Sequence, residues 1–208
     1  MKHVKMLGLL VMAAASLMAF ASSASAVPVL TSPAGTEYTG TIHATLEKGT
    51  TALLKAGIED TCTASTLHGV VTTNDQGTEA SGALSTGPTN EEPGAEPTGL
   101  HWGAPGTPCT QDTKTITPGS LTINDAGEVF TIGSRVEVKV TSLGISCFYG
   151  AETGSVKVGT FTGGTPAKVA VKTESLQREA GSSAFFCAEK GTWNANYVVT
   201  SPTTLLLT

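Results

Sequence analysis

Positively charged residues are scarce in this chain of 208 residues, and long apolar runs are missing beyond its first 26 positions. There are 12 lysines and arginines against 17 acidic residues, and the formal net charge is −5 at pH 7. No cluster of positive charge is present to meet a phosphate backbone, so we expect no nucleic-acid partner. No second apolar run approaches the length of a membrane span, so we expect no integral membrane segment after the N-terminal region.

Residues 1–26 have the three parts of a secretory signal peptide. Lys2 and Lys5 make the start basic, an apolar stretch follows, and the small residues of "ASSASA" end at Ala26. The pattern predicts cleavage after Ala26, and a retained N-terminal anchor helix is the alternative. The mature chain, 27–208, would then be a single secreted domain with a net charge of −7, because both lysines are removed. We therefore expect a secreted or cell-envelope, extracytoplasmic location.

Motifs for metal binding, nucleophilic catalysis and nucleotide binding are absent from the sequence. His43, His68 and His101 show no metal-binding spacing, and no two cysteines are close enough for a zinc pair. There is no G-x-S-x-G elbow, S-x-x-K pair, P-loop or G-x-G-x-x-G fingerprint. We therefore predict no catalytic residue, no metal and no cofactor. A hydrolase with paired carboxylates is kept as a third hypothesis, although we expect Glu137 and Glu174 to face solvent.

Alternating apolar and polar residues recur along the mature chain and predict antiparallel strands with one polar face. In "SRVEVKV" (134–140) the valines fall on one side and the charged residues on the other, and "AKVAVKT" (167–173) is similar. "INDAGEV" (123–129) and "TGGTP" (162–166) supply hairpin turns. We predict an all-β fold, either an antiparallel β-sandwich or a rolled β-sheet or barrel, with about 10–12 short strands.

Two segments depart from this pattern. "ALLKAGIED" (52–60) is the best candidate for a helix, although the threonines before it and the glycine within it weaken that prediction. Residues 73–99 are rich in proline, glycine and glutamate, and Pro88, Pro93 and Pro97 exclude a central strand there. We predict a long solvated loop over about 73–99, with a binding loop or a calcium site as the alternative.

The four cysteines, Cys62, Cys109, Cys147 and Cys187, are even in number and follow an export signal, which favours disulfides. Three connectivities are possible. We predict Cys62–Cys109 and Cys147–Cys187, because each bridge then encloses a strand-rich unit of comparable length. A catalytic thiol would need a nearby histidine, and the chain from residue 102 onward has none.

Aromatic residues make up only 5% of the chain, so each one that reaches the surface is a candidate ligand contact. Trp102, with His101 beside it, lies in the glycine- and proline-containing "LHWGAPG". A tryptophan or tyrosine ring can stack on a sugar, and we name Trp102, Tyr149 and His101 as possible ligand contacts. The alternative is a core position for Trp102, as we expect for Trp193 beside the Cys187 bridge, and an ordinary loop position for His101.

Several short elements together resemble a group of small exported bacterial proteins. The elements are "TCTASTLHGVV", "LGISCFYG", "GTFTGG" and "FFCAEKGTWNANYVVTSP", and the likeness spans most of the mature chain. The group has no assigned activity, so the resemblance implies a secreted, disulfide-bearing β-protein. Before Cys109 this chain has "HWGAPGTPC" where such proteins tend to have a smooth strand.

Three functional hypotheses follow. The first is an exported, non-enzymatic β-domain of the cell envelope or extracellular space that acts through its surface, with a cell-wall or extracellular partner. The second is a binding module for carbohydrate or a small apolar ligand, with Trp102 or Tyr149 at the site. The third is the secreted hydrolase. An open apolar cavity would favour the second hypothesis, and a filled core would favour the first.

Overall fold

The computed structural model describes residues 29–33, 35–74, 79–83, 99–103 and 109–208. Within these ranges the chain forms sixteen strands and one short 3-10 helix, and no α-helix. No helix found there is long and apolar enough to cross a membrane. The strands are β1 (Leu30–Thr31), β2 (Gly40–Leu46), β3 (Ala52–Lys55), β4 (Glu59–Cys62), β5 (Ser65–Thr73), β6 (Glu79–Ala83), β7 (Gly99–Trp102), β8 (Asp112–Thr117), β9 (Ser120–Asn124), β10 (Glu128–Ile132), β11 (Arg135–Val140), β12 (Ile145–Gly150), β13 (Val156–Thr162), β14 (Lys168–Arg178), β15 (Lys190–Ser201) and β16 (Leu206–Leu207).

Eight of these strands close into an antiparallel barrel. The order around the wall is β15, β2, β5, β6, β9, β10, β13 and β14, and the pairing of β14 with β15 closes the circle. Successive side chains of a strand point to opposite faces, so alternate residues fill the interior. In β15 the buried alternate residues are Gly191, Trp193, Ala195, Tyr197 and Val199. The predicted all-β class is confirmed, and of the predicted architectures the barrel is the one present.

The two longest strands, β14 and β15, run beyond the barrel and begin a second sheet, which we call the wing. β3 pairs with the first half of β15, with Leu54 opposite Trp193. β12 pairs with the end of β14, with Tyr149 opposite Arg178. The order across the wing is β4, β3, β15, β14, β12, β11 and β8. One hydrophobic core therefore extends from the barrel interior to the face of the wing.

Both predicted disulfides are present, and both belong to the wing. Cys62, at the end of β4, is bonded to Cys109, shortly before β8. Cys147 in β12 is bonded to Cys187, in the connection between β14 and β15. The first bridge joins the outer strand β4 to the segment that leads into β8, and the second joins β12 to the connection between β14 and β15. Disulfides of this kind persist in oxidising, extracytoplasmic compartments.

Asp60 is a fully buried carboxylate that also joins the outer strands of the wing. The Thr110 hydroxyl and the Gln111 backbone N–H donate to its Oδ1 at 2.9 and 2.8 Å. The Thr113 hydroxyl donates to its Oδ2. Asp60 lies on β4, whereas its partners lie on or just before β8, so side-chain hydrogen bonds link two strands that share no backbone ladder.

A two-stranded ribbon of β1 and β16 covers one end of the barrel interior. Leu30 of β1 is fully buried and lines that interior. The amide of Asn74, which is 1% exposed, holds β1 in place. Its Oδ1 accepts a hydrogen bond from the Leu30 N–H at 2.9 Å, and its Nδ2 donates to the carbonyl oxygens of Leu30 and Tyr38.

The predicted helix over 52–60 is wrong. Ala52–Lys55 and Glu59–Cys62 are the two strands of a hairpin, and Gly57 lies in the turn between them with φ at +80°. Glycine adopts this left-handed angle without steric penalty, so the turn is readily formed. Burial of alternate residues against the core outweighs the helix propensity of alanine, leucine and lysine in this segment.

The predicted loop over about 73–99 contains a strand, Glu79–Ala83, which is part of the barrel wall. This strand, β6, pairs with β5 and β9. Its small residues let a neighbouring backbone approach closely, since a Cβ at Gly82 would lie 2.1 Å from the Val70 carbonyl oxygen. Short strands such as β6 show little alternation, so the sequence pattern does not reveal them. The pattern therefore predicted about 10–12 strands, whereas the described ranges contain sixteen. Residues 75–78 and 84–98 of the segment lie outside the described ranges.

The expectation that Glu137 faces solvent is wrong. Glu137 is 8% exposed, and side chains of both neighbouring strands, β8 and β12, contact its carboxylate. The Ser146 hydroxyl donates to its carboxylate at 2.7 Å, and the Lys114 ammonium lies 3.1 Å from it. The carboxylate is therefore held by a cation and a hydroxyl. The side chain of Glu174 lies outside the described part.

Candidate functional site

Two of the three predicted ligand-contact residues, Trp102 and Tyr149, line the same interior cavity. The cavity has a volume of about 40 Å³ and lies where the barrel core meets the wing. Trp193 lines it as well, and we call it the indole cavity after its two tryptophans. The third predicted residue, His101, lies on β7 next to Trp102, and its side chain is outside the described part.

Three strands bring these rings together. Trp102 ends β7 and lies opposite Ser65 of β5, while Trp193 lies on β15 opposite Leu54. The two indole rings are 5.6 Å apart between centroids. Tyr149 lies on β12 and is fully buried. The aromatic residues that sequence reasoning treated as surface contacts therefore belong to the core or its edge.

The polar groups of the three rings differ in whether they have hydrogen-bond partners. The Tyr149 hydroxyl lies 2.8 Å from the carbonyl oxygens of Ala56 and Ala188, which share its one proton. Burial raises the pKa of this hydroxyl above its usual value of 10.0. The indole N–H groups of Trp102 and Trp193 are buried and have no hydrogen-bond partner among the described residues. Tyr149 therefore has a structural role, whereas the two indoles keep unused donors.

A second cavity of about 60 Å³ is lined by residues of the barrel wall and by Leu30 of the ribbon. Its lining is almost wholly apolar, and it shares Leu67, Leu121, Val129 and Val169 with the indole cavity. A water molecule needs about 10–15 Å³ of such volume. A sugar ring, with some eleven non-hydrogen atoms, is therefore too large for either cavity.

The only described cluster with metal-ligand atoms is made by Asp60, Cys62 and Cys109, whose ligand atoms lie within 4.8 Å of one another. The two sulfur atoms are bonded to each other, so neither can act as a thiolate ligand. The Asp60 oxygens accept hydrogen bonds from β8 and its approach. The cluster is therefore a structural junction of the wing.

Sequence reasoning missed the most exposed aromatic pair in the described part of the chain. Phe185 is 89% exposed and Phe186 is 50% exposed. Their rings contact each other edge to face, with centroids 5.0 Å apart. They lie in the connection between β14 and β15, residues 179–189, which we call the aromatic loop. The available signal was the "FFC" triplet between two strong strand patterns, where large apolar residues adjoin a bridged cysteine.

Hydrogen bonds from neighbouring strands fix the backbone of the aromatic loop near its tip. The Arg178 guanidinium donates to the carbonyl oxygens of Ala184 and Cys187, at 3.3 and 2.7 Å. The Tyr149 hydroxyl and the Ala188 N–H connect the loop to the β3–β4 turn through Ala56. The Cys147–Cys187 bridge adds a covalent tie.

The first half of the aromatic loop is fixed as well. The Glu179 N–H donates to the Phe148 carbonyl oxygen at 2.8 Å, and the Arg135 guanidinium donates to the Ala180 carbonyl oxygen at 2.6 Å. The Ser182 hydroxyl accepts a hydrogen bond from the Phe148 N–H at 2.8 Å. The loop therefore holds its two phenylalanine rings in water on a backbone that is tied at many points.

The described residues thus contain two candidate sites of different chemistry, an apolar-lined cavity beside the core and an exposed aromatic pair. Tyr149 takes part in both, since its ring lines the indole cavity and its hydroxyl holds the aromatic loop. Comparisons of the chain with protein-family models, with curated proteins and with solved structures find no match.

Proposed function

We propose that the chain is an exported, non-enzymatic β-domain of the cell envelope or extracellular space that binds a partner protein through the aromatic loop. The observation that carries this proposal is the pair of exposed rings at Phe185 and Phe186 on a fixed backbone. Burying a phenylalanine side chain contributes about 1.5–3 kcal/mol. Because the rings lie in water, a partner can gain that free energy, and the fixed loop loses little entropy on binding.

The chemistry of the loop favours a protein over a glycan or a lipid surface. Phenylalanine offers no hydrogen bond, whereas recognition of a sugar needs polar contacts beside the stacking ring. The two guanidinium groups that contact the loop are directed to protein groups, since Arg178 donates to loop carbonyls and Arg135 is paired with Glu152 at 3.0 Å. Aromatic side chains that enter an apolar pocket are frequent anchors of protein interfaces.

The compartment in this proposal is supported by the two disulfides, which belong to oxidising surroundings. The resemblance to small exported bacterial proteins agrees with it. The element "FFCAEKGTWNANYVVTSP", which carries part of that resemblance, begins with the two exposed rings. The carbohydrate alternative has less support, because neither cavity accommodates a sugar ring.

Site-specific photo-crosslinking in the producing cell tests the proposal. A benzophenone amino acid replaces Phe185, and in a matched control it replaces Ile132, which is 46% exposed on the barrel wall. We expect a discrete protein adduct from position 185 that is absent from position 132. The partner identified in that adduct, purified on its own, should then bind the unmodified chain. Adducts of equal yield at both positions, or adducts only with lipid or glycan, would contradict the proposal.

A further inference from the structure

We propose that His43 and His68 hold a divalent transition-metal ion, of the class of Zn²⁺, on the outer face of the barrel. This inference does not depend on the aromatic loop. It rests on three features: the contact between the two imidazole rings, a third histidine on the adjacent strand, and surroundings that carry no positive charge.

The first feature is the contact between the rings. His43 on β2 and His68 on β5 lie directly opposite each other in the strand register. Their ring centroids are 4.3 Å apart and their planes are at 81°. With Zn–N bonds of about 2.0–2.1 Å at a tetrahedral angle, two ligating imidazoles have ring centroids about 5 Å apart. The two rings are therefore within about 1 Å of the separation that a shared ion requires.

The pair lies on the outer face of the barrel. Leu67 and Val71 of β5 and Ile42 of β2 line the interior. Because successive side chains of a strand alternate, His43 and His68 are on the other face. His68 is nevertheless only 5% exposed, and His43 is half-buried. Each imidazole has two nitrogens, so one can bind the ion while the other keeps a hydrogen bond, as in most metal sites. Other contacts of the two rings are therefore compatible with ligation.

The second feature is a third histidine, His101, on the next strand. His101 lies on β7 opposite Thr66, which is two positions before His68 on β5. Its side chain is outside the described part, and the strand register gives its position. Diagonal neighbours on paired strands are about 7–8 Å apart, within reach of long side chains. All three histidines beyond residue 26 thus belong to adjacent strands, although they are far apart in sequence and show no metal-binding spacing.

The third feature is the neutral surroundings. The described residues that lie opposite the pair, or two positions along the same strands, are uncharged: Thr41, Thr45, Thr66, Val70, Gly99 and Ser201. No lysine or arginine among these neighbours would repel a cation. The Thr66 hydroxyl oxygen is buried and has no hydrogen-bond partner within the described ranges. Ligating histidines usually donate their second N–H to a nearby oxygen, and this hydroxyl is such an acceptor.

The ligand chemistry defines the class of ion. Imidazole nitrogen suits Zn²⁺, Cu²⁺ and Ni²⁺, whereas Ca²⁺ and Mg²⁺ prefer oxygen ligands. The pair is separate from the Asp60 cluster, whose two sulfur atoms are bonded to each other. Among the described strands, β7 pairs with β5 alone. An ion shared by the three histidines would therefore fasten β7 to the barrel wall.

Calorimetric titration with Zn²⁺ alone, on protein purified without a histidine tag, tests the site. We expect one saturable site per chain that about a thousandfold excess of Ca²⁺ does not displace. H43Q and H68Q remove an imidazole and should each weaken binding at least about tenfold, because losing even an outer-shell partner costs about 10–100-fold. H101Q should weaken binding as well, as the third ligand. T41Q, which changes the next outward position of β2, should bind like the wild type.

Four results would overturn the proposal. They are the absence of saturable binding up to about 1 mM Zn²⁺, wild-type affinity in H43Q, full displacement by Ca²⁺, and a zinc X-ray absorption spectrum with oxygen ligands only. Circular dichroism reports whether each variant is folded. H43Q carries the test if the buried H68Q does not fold, since His43 is half-buried.

Discussion

Single buried side chains join segments of this molecule that are far apart in sequence. Tyr149 is the clearest example, because its hydroxyl reaches both the β3–β4 turn at Ala56 and the aromatic loop at Ala188. Asn74 does the same for the ribbon that covers the barrel, through Leu30 and Tyr38. Such side chains join segments that no backbone ladder connects to each other.

Replacing Tyr149 with phenylalanine tests this role. The variant removes the hydroxyl and leaves the ring in the core, so we expect the free energy of unfolding to fall by about 1–2 kcal/mol. Chemical denaturation measures the change. Tyr38→Phe is the matched control, because the Tyr38 hydroxyl donates to the Thr41 carbonyl at an exposed site and should matter less. Equal losses in the two variants would contradict the structural role of Tyr149.

Glu137 predicts a pH dependence of stability. Burial by itself raises the pKa of its carboxyl, but hydrogen bonds from Ser146 and Lys114 and the charges of Lys114 and Lys139 outweigh it, so the pKa lies below 4.5. A carboxyl with a lowered folded-state pKa contributes stability above its unfolded pKa and loses it as the pH falls through the folded pKa.

Denaturation of the wild type and of Glu137→Gln between about pH 6 and pH 3 measures this contribution. We expect the wild type to be the more stable protein at pH 6 and the difference to shrink as the pH falls. A difference that stays constant, or grows toward low pH, would mean that the carboxylate is not stabilised by its neighbours.

Among the elements, a hairpin with turn residues between two alternating runs was the most predictable, and the short strands were the least. The β9–β10 hairpin follows from "INDAGEV", where turn residues separate two alternating runs. The β3–β4 hairpin was missed because alanine, leucine and lysine favour helices when their environment is unknown. Glu137 was misplaced because alternation tells which residues share a face, whereas the side chains beside Glu137, Lys114 of β8 and Ser146 of β12, depend on which strands pair with β11.

The junction of β4 and β8 is held by Asp60 and gives an element-scale prediction. Asp60→Asn keeps one acceptor oxygen and replaces the other by an NH₂ group, so either the Thr113 hydroxyl or the Thr110 hydroxyl and the Gln111 N–H lose their acceptor. We expect the free energy of unfolding to fall by about 2–3 kcal/mol, since hydrogen bonds to a charged group are lost. Glu59→Gln is the control, because its exposed ion pair with Lys55 contributes at most about 1 kcal/mol. Coinciding denaturation curves for Asp60→Asn and Glu59→Gln would show that Asp60 does not stabilise the contact between β4 and β8.

At the scale of the whole molecule, the alternating strand pattern predicted the all-β class, and the cysteine spacing predicted the two disulfides. Neither pattern predicted that the sheet closes into a barrel. Sheet order depends on which strands meet in space, and no single strand encodes the pairing of β14 with β15 that closes the barrel. The candidate site was predicted in part. Trp102 and Tyr149 do meet at one cavity, but as core residues, and the exposure of Phe185 depends on the fixed conformation of a loop.

The two disulfides should have separable effects. Removing Cys147–Cys187 in a double serine variant should lower the free energy of unfolding by about 4 kcal/mol, on the loop-closure model for a separation of 40 residues. Removing Cys62–Cys109 should have a similar global effect. Only the variant that lacks the Cys147–Cys187 bridge should show faster amide hydrogen exchange in the aromatic loop, residues 179–189. Equal acceleration in both variants would mean that the Cys147–Cys187 bridge does not specifically fix the loop.

The central claim is that the fixed aromatic loop carries the binding of a partner protein. Titration calorimetry with the partner identified by crosslinking tests it most directly, using the wild type, Phe185→Ser and Ile132→Ser. We predict that Phe185→Ser weakens binding at least about 30-fold, the loss expected for an interface anchor, and that Ile132→Ser binds like the wild type. Wild-type affinity in Phe185→Ser would contradict the account.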